Sequence, residues 1–212
     1  MIIIVHHLNN SRSQRVLWLL EELGLDYEIR RYKRNSDMSA PDEMKRVHPL
    51  GKSPIVDVID DGRRMTLVET GAICEYLVER ANGRLGASGD GESKQRYRQF
   101  LHYAEGSIMP LLFALLVVSK IPLLGVLAAR KIRPMLDLHL DYVESELSER
   151  PWFAGDTLTA ADVMMSFPLE AAAKWSGLNA NRPATSDWLK RIHGRDAYAR
   201  ALERGGRYDL AR

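Results

Sequence analysis

The sequence predicts an α/β domain of order βαβαββα over residues 1–81 and an all-α domain over residues 93–212. Three observations carry this reading. Up to residue 81, short apolar runs rich in β-branched residues alternate with segments of helical period. The stretch NGRLGASGDGE (82–92) has glycine and small polar residues without periodicity, as an inter-domain linker does. Beyond Ser93 every periodic segment is helical.

IIIV (2–5) is a continuous apolar run, which suits a strand buried on both faces. Between Ser13 and Leu23, the residues Val16, Leu17, Leu19, Leu20 and Leu23 recur at helical spacing, and Gly24 stands where a helix stops. YEIRRY (27–32) reads as a second strand, with the basic cluster RRYKR as its solvated end. In APDEMKRVHPLG a short helix is ended by His48-Pro49, because the residue before a proline avoids helical geometry. PIVDVID (54–60), the Asp61-Gly62 turn and RMTLV (64–68) form a hairpin, and the helix TGAICEYLVERA (70–81) closes the domain.

In the second domain the helical segments are YRQFLHYAEGSIMPLLFALLVVS, ARKIRPMLDLHLDYVESELSE, AADVMMSFPLEAAAKW and SDWLKRIHGRDAYARALER. Before the third, TLTAADVM places Thr159 and Asp162 at capping-box spacing, with Leu158 and Val163 where a hydrophobic staple belongs. Asp162 is therefore read as a capping carboxylate, with the cap worth ~1 kcal/mol, and not as a catalytic one.

With 212 residues, 45% of them hydrophobic, the chain can build a real core, which excludes disordered and collagen-like classes. Its 30 Lys+Arg against 28 Asp+Glu leave a net charge of +2, so no global field points to nucleic acid. A single cysteine, Cys74, excludes an intramolecular disulfide and a cysteine-rich zinc cluster and fits a reducing compartment. The first residues lack the basic region and cleavage site of a signal peptide, so the expected location is the cytoplasm. Residues 108–130 are apolar enough to suggest a membrane span of ~20 residues. Ser119, Lys120 and Pro122 interrupt them, and a central lysine costs roughly 2.5–3.5 kcal/mol on insertion. The expectation is a buried helix ending near Ser119, followed by a second apolar segment; membrane association is not expected.

Three places could carry chemistry. In SPIV (53–56), Pro54 opens a strand and cannot donate to the ladder; a cis Ser53-Pro54 bond there would leave the Ser53 backbone free to pair with an extended peptide. In VETGAICEYL, Glu69 and Thr70 lie at a helix start, where free N–H groups and the dipole favour an anion. Thr70 could equally be a simple cap. His6 and His7 suggest metal at first sight, but neighbours on a strand point to opposite faces and no third ligand lies at a supporting spacing, so no metal is expected.

Taken together, SRSQRVLWLLEELGL, HPLGKSPIV, ETGAICEYL and WFAGDTLTAADV, in this order and at these separations, resemble a cytosolic glutathione S-transferase of serine type, bacterial or fungal in kind. The resemblance covers essentially the whole chain. It implies a thioredoxin-like first domain and glutathione bound as co-substrate, with no cofactor. Ser53 would offer its backbone to the cysteinyl part of glutathione beside Pro54. Glu69 would receive the γ-glutamyl ammonium, Thr70 its carboxylate, and Lys52 the glycyl carboxylate. Ser53 stands where Val or Ile is usual and Thr70 where Ser is more frequent, yet both keep the groups required.

In serine-type members the catalytic hydroxyl lies four residues before an arginine that begins the first helix, which counts back from Arg15 to Ser11; Ser13 is second and Asn10 third. No tyrosine or cysteine occurs in residues 1–26. The resemblance further implies an electrophile pocket walled by the segment of Met109, Leu112 and Phe113, although each could equally be a core residue. It also implies a homodimer and a detoxifying conjugation of the glutathione thiolate to a small hydrophobic electrophile. Two rivals stand beside it: a non-catalytic module of the same fold that binds apolar ligands or a partner, and a glutathione-dependent peroxidase.

Overall fold

β1 (Ile2–Leu8), β2 (Glu28–Tyr32), β3 (Ile55–Asp60) and β4 (Arg63–Val68) form one sheet of order β2-β1-β3-β4. β1 runs parallel to β2 and antiparallel to β3, and β3 pairs with β4 in the predicted hairpin. Having a neighbour on each side, β1 suits a run of isoleucine and valine. It continues past that run to Leu8, because His6 and His7 are buried as well. The computed structural model describes residues 1–37, 39–176, 178 and 181–211.

α1 (Ser13–Leu23), α2 (Asp42–Val47) and α3 (Thr70–Arg80) complete the βαβαββα order of a thioredoxin-like domain. Alternation along β1 assigns their faces. Leu8 packs with Tyr32, Ile55 and Met44, so α2 covers one face, while His7 meets α1 on the other. α1 ends at Gly24, whose φ of 62° closes the helix without Cβ strain. On the α2 face, His6 bonds Tyr32 Oη at 2.9 Å and Asp57 Oδ2 at 2.7 Å. Burial pushes the Asp57 carboxyl up, but hydrogen bonds from Arg64, Thr66 and His6 outweigh it and hold the group below the usual range.

By packing, the chain divides into residues 1–86 with 193–212, and residues 87–192. The division by sequence pattern differs, since it groups residues 193–212 with the helical domain. The reason is chemical: α9 (Asp196–Gly205) lies along α1 through ion pairs that helical periodicity does not register. Arg195 bonds Glu22 at 2.9 Å, Arg200 and Arg204 bond Glu21 at 2.8 and 2.9 Å, and Tyr198 packs edge-on against Trp18. Gly205 permits this approach, since a Cβ there would lie 2.8 Å from Gln14 Oε1 and 2.9 Å from Leu17 Cδ1.

The other unit is helical: α4 (Gly91–Tyr103), a π-helical turn (Ala104–Ile108), α5 (Met109–Val118), α6 (Leu124–Glu149), α7 (Ala160–Trp175) and α8 (Pro183–His193), the last ending at the boundary. α7 is buried almost all round, with Phe100, Val143, Phe153 and Trp188 in the same core. Its first turn has the predicted cap. Asp162 Oδ2 accepts from the N–H and Oγ–H of Thr159, at 2.9 and 3.0 Å, and Oδ1 accepts from Phe153 N–H at 3.0 Å and Trp188 Nε1–H at 3.4 Å. Burial nonetheless pushes its carboxyl up to about 6, against those four bonds.

One expectation is corrected. α5 ends before Ser119 as foreseen, but it is not a buried helix: within it only Met109 and Leu112 are buried while Phe113 and Val117 are exposed, and in the apolar segment that follows Ile121, Leu123, Leu124, Val126 and Leu127 are exposed. A helix apolar on every side buries all of it only when surrounded, and within its unit α5 packs mainly on α6 and the π-helical turn before it, with a smaller contact to α7. Among the described residues one helical run, Gly91–Val118, is by length and composition apolar enough to cross a bilayer.

Candidate active site

The loop between β1 and α1 begins a chain of hydroxyl groups. Ser11 Oγ lies 2.8 Å from Ser13 Oγ and 3.0 Å from Ser53 Oγ, and Ser13 Oγ lies 2.8 Å from His7 Nδ1. The order of protons along it follows from His7. Burial, helped by the nearby Arg31 charge, lowers the imidazole to about 4, although a hydrogen bond to the Gly205 carbonyl opposes the shift. The ring is therefore neutral at pH 7. With Nδ1 facing Ser13 and the ring proton directed to Gly205, Nδ1 accepts, and Ser13 donates to it at 2.8 Å in preference to the Leu8 carbonyl at 3.3 Å. Its single proton spent, Ser13 accepts from Ser11, and Ser11 accepts from Ser53 and from the Ser13 N–H at 3.2 Å.

Ser13 is wholly buried, and its oxygen also accepts the Leu8 N–H at 3.4 Å. Ser11, 5% exposed, connects instead to the half-buried Ser53. Asn10 sits at φ 51°, a left-handed conformation that asparagine tolerates. Its amide is engaged at both ends: Nδ2–H donates to Asp209 Oδ2 at 2.9 Å, and Asp209 N–H donates to Oδ1 at 2.8 Å.

The Ser53-Pro54 peptide is cis, and Pro54 is buried immediately before β3. At the start of α3, Glu69 has φ 68°, a conformation that costs a non-glycine residue on the order of 1–3 kcal/mol. Thr70 is buried, and its Oγ1 accepts from Arg15 Nη2 at 3.4 Å, so a buried guanidinium stands behind the helix start. The first turn of α3 carries no acidic side chain, which leaves its N–H groups and dipole available to an external anion.

The structure thus joins Ser11, Ser13 and Ser53 by direct hydrogen bonds and ties Thr70 to α1 through Arg15. The side chains of Lys52 and Glu69 are exposed and make no hydrogen bond or ion pair among the described residues. Met109 and Leu112 are buried in the helical unit, and Phe113 is 59% exposed. Cys74, on the buried face of α3, is fully enclosed, and burial pushes its thiol up to about 12. His7, which sequence reasoning considered only for metal, anchors the hydroxyl chain; no local signal in the sequence announces that role.

The sequence matches two family descriptions, "Glutathione S-transferase, N-terminal domain" over residues 2–79 and "Glutathione S-transferase, C-terminal domain" over residues 127–196. It is 35% identical to Glutathione S-transferase 1 of Saccharomyces cerevisiae, with 96% of this chain and 95% of that protein covered. Among solved structures, a glutathione S-transferase from Actinobacillus pleuropneumoniae superposes with a TM-score of 0.85 at 34% identity, covering 99% of this chain and 96% of that one. Another, the glutathione transferase URE2P6 from Phanerochaete chrysosporium in complex with oxidized glutathione, superposes with a TM-score of 0.78 at 25% identity, covering 96% and 95%.

Proposed function

Because the chain belongs to the glutathione S-transferase family, we propose that it conjugates the thiolate of glutathione to small hydrophobic electrophiles, with Ser11 as the donor to the sulfur. The observation that carries this reading is the hydroxyl chain Ser53–Ser11–Ser13–His7 at the mouth of α1. An unperturbed thiol has a pKa near ~8.5 and is only a few per cent ionised at neutral pH. A hydrogen bond to the charged form lowers that value, and each unit is worth about 1.36 kcal/mol.

Of the three candidate donors, Asn10 has its amide oriented by Asp209, with one of its two Nδ2 protons spent there, and Ser13 has its single proton on His7. Ser11 has only to turn its proton from Ser13 to the sulfur. That exchanges a neutral hydrogen bond worth about 1 kcal/mol for a charge-assisted one roughly twice as strong. Its lone pairs meanwhile stay filled by Ser53 and the Ser13 N–H. Ser11 therefore meets the ligand as a donor, which favours a thiolate over a thiol.

Glutathione would lie with its cysteinyl backbone against Ser53, beside Pro54. Its γ-glutamyl carboxylate would sit at Thr70, where Arg15 supplies positive charge, its ammonium at Glu69, and its glycyl carboxylate at Lys52. Phe113, with Met109 and Leu112, is assigned to the electrophile side. The acting species is taken to be a cytoplasmic homodimer. Ser11→Ala should cut conjugation of a generic aryl halide at least about tenfold, while the protein is still retained on immobilised glutathione. Retention of wild type without conjugation of any member of a broad electrophile panel would replace this reading with that of a binding module.

A further inference from the structure

The segment after α9 reaches back to the loop that carries Ser11. Asn10, the residue next to Ser11, is gripped by Asp209 through a reciprocal pair of hydrogen bonds, at 2.9 and 2.8 Å, across a sequence separation of 199. The carbonyls of Asn9 and Asn10 accept from Arg34 Nε and Nη2, each at 3.1 Å. Asp209 is oriented in turn by Arg207 Nε at 2.7 Å. The segment itself is anchored, because α9 is tied to α1 by the Glu21 and Glu22 ion pairs and its Gly205 carbonyl takes the His7 proton.

We infer that Asp209, acting through the Asn10 amide, is a positioning residue that holds the Ser11 hydroxyl in line with the glutathione sulfur. This inference rests on the reading of Ser11 as the sulfur donor. Hydrogen bonds weaken steeply with misalignment, and a small displacement of a positioned group is costly in rate. Local bonds hold Ser11 from its C-terminal side only, where Ser13 N–H and Gln14 N–H donate to its Oγ and carbonyl at 3.2 Å each, whereas the left-handed Asn10 on its other side has several conformations open to it. Asp209 removes that freedom without touching the substrate.

The test is the ionisation of glutathione bound to the full-length protein, followed by the ultraviolet absorbance of the thiolate against pH, together with the pH profile of kcat/KM. Asp209→Ala removes the acceptor for Asn10 Nδ2. It should raise the bound-thiol pKa by about one unit and lower kcat/KM about tenfold below that pKa. The deficit should vanish at high pH, where the thiol ionises unaided. Asp209→Asn keeps a carbonyl oxygen for Asn10 and should recover most of the loss. Asn10→Gly keeps the left-handed backbone and removes the amide, so it should match Asp209→Ala, and the double variant should lose no more than either single one.

A lost fold would show as a fall in activity at every pH, and Asn10→Gly then carries the test. If wild type binds glutathione with a lowered pKa and neither variant moves it, the positioning role of Asp209 is overturned while Ser11 keeps its role. If glutathione bound to wild type titrates as it does free in solution, the reading of Ser11 fails and this inference fails with it.

Discussion

Replacing Asp162 by alanine should be among the most damaging single changes in the helical unit. The carboxylate is fully buried and accepts four hydrogen bonds, from the N–H and Oγ–H of Thr159, the N–H of Phe153 and Nε1–H of Trp188. Left without an acceptor, four buried donors at about 1.5–2 kcal/mol each would cost roughly 7 kcal/mol. Part of this is returned. The carboxyl is raised from 3.8 to about 6, so removing the buried charge at pH 7 recovers about 3 kcal/mol at about 1.36 kcal/mol per unit. The net loss is about 4 kcal/mol. For a chain of this size each kcal/mol moves the midpoint by about 2–4 °C, so thermal unfolding followed by circular dichroism should fall by roughly 10 °C. A drop of under about 2 °C would show that water or a shifted side chain satisfies the four donors, and would refute the account of the cap.

The pH dependence of stability offers a second check. Asp162 is raised to about 6, so the native state holds a proton that the unfolded chain has released, and this group makes stability fall as pH rises from about 4 to 6. His7 is lowered from 6.5 to about 4, so the unfolded chain holds the extra proton, and this group makes stability rise over the same window. Each contributes about 3 kcal/mol, with opposite sign. In urea titrations Asp162→Asn should therefore become more stable relative to wild type as pH rises from 4 to 6, and His7→Asn less stable; profiles parallel to that of wild type would contradict both assignments. Cys74, buried with its thiol at about 12, should resist disulfide reagents at pH 8 in the folded protein and react once it is unfolded in urea. Prompt labelling of the native protein would reveal a more open α3 than the structure has.

Much of this architecture is legible in local pattern because local forces decide it. The helix from Ser13 to Gly24, the hairpin about Asp61-Gly62 and the cap at Thr159 and Asp162 each rest on neighbours within a turn or two. The strand-opening Pro54 and the Glu69-Thr70 helix start were legible for the same reason. What was hidden depends on distant partners. Helical period marks α9 as amphipathic but does not say which core it joins, and the answer lies in Glu21 and Glu22 on α1. Composition marks residues 108–118 as apolar, yet burial depends on how many elements surround them, and of that segment only Ile108, Met109 and Leu112 are buried. The same holds at the site. Ser11 is singled out by the resemblance to serine-type members, which counts back from Arg15, whereas the links from Ser13 to His7 and from Asn10 to Asp209 exist only in the folded chain.

The central claim is that the Ser11 hydroxyl makes bound glutathione a thiolate. Ultraviolet titration of the thiol in complexes of glutathione with wild type and with Ser11→Ala tests it most directly. The account predicts a pKa at least about one unit below the free value of ~8.5 in wild type, and a return toward that value in Ser11→Ala with glutathione still bound. An equal, lowered pKa in both complexes would contradict it and place the thiolate-stabilising donor elsewhere.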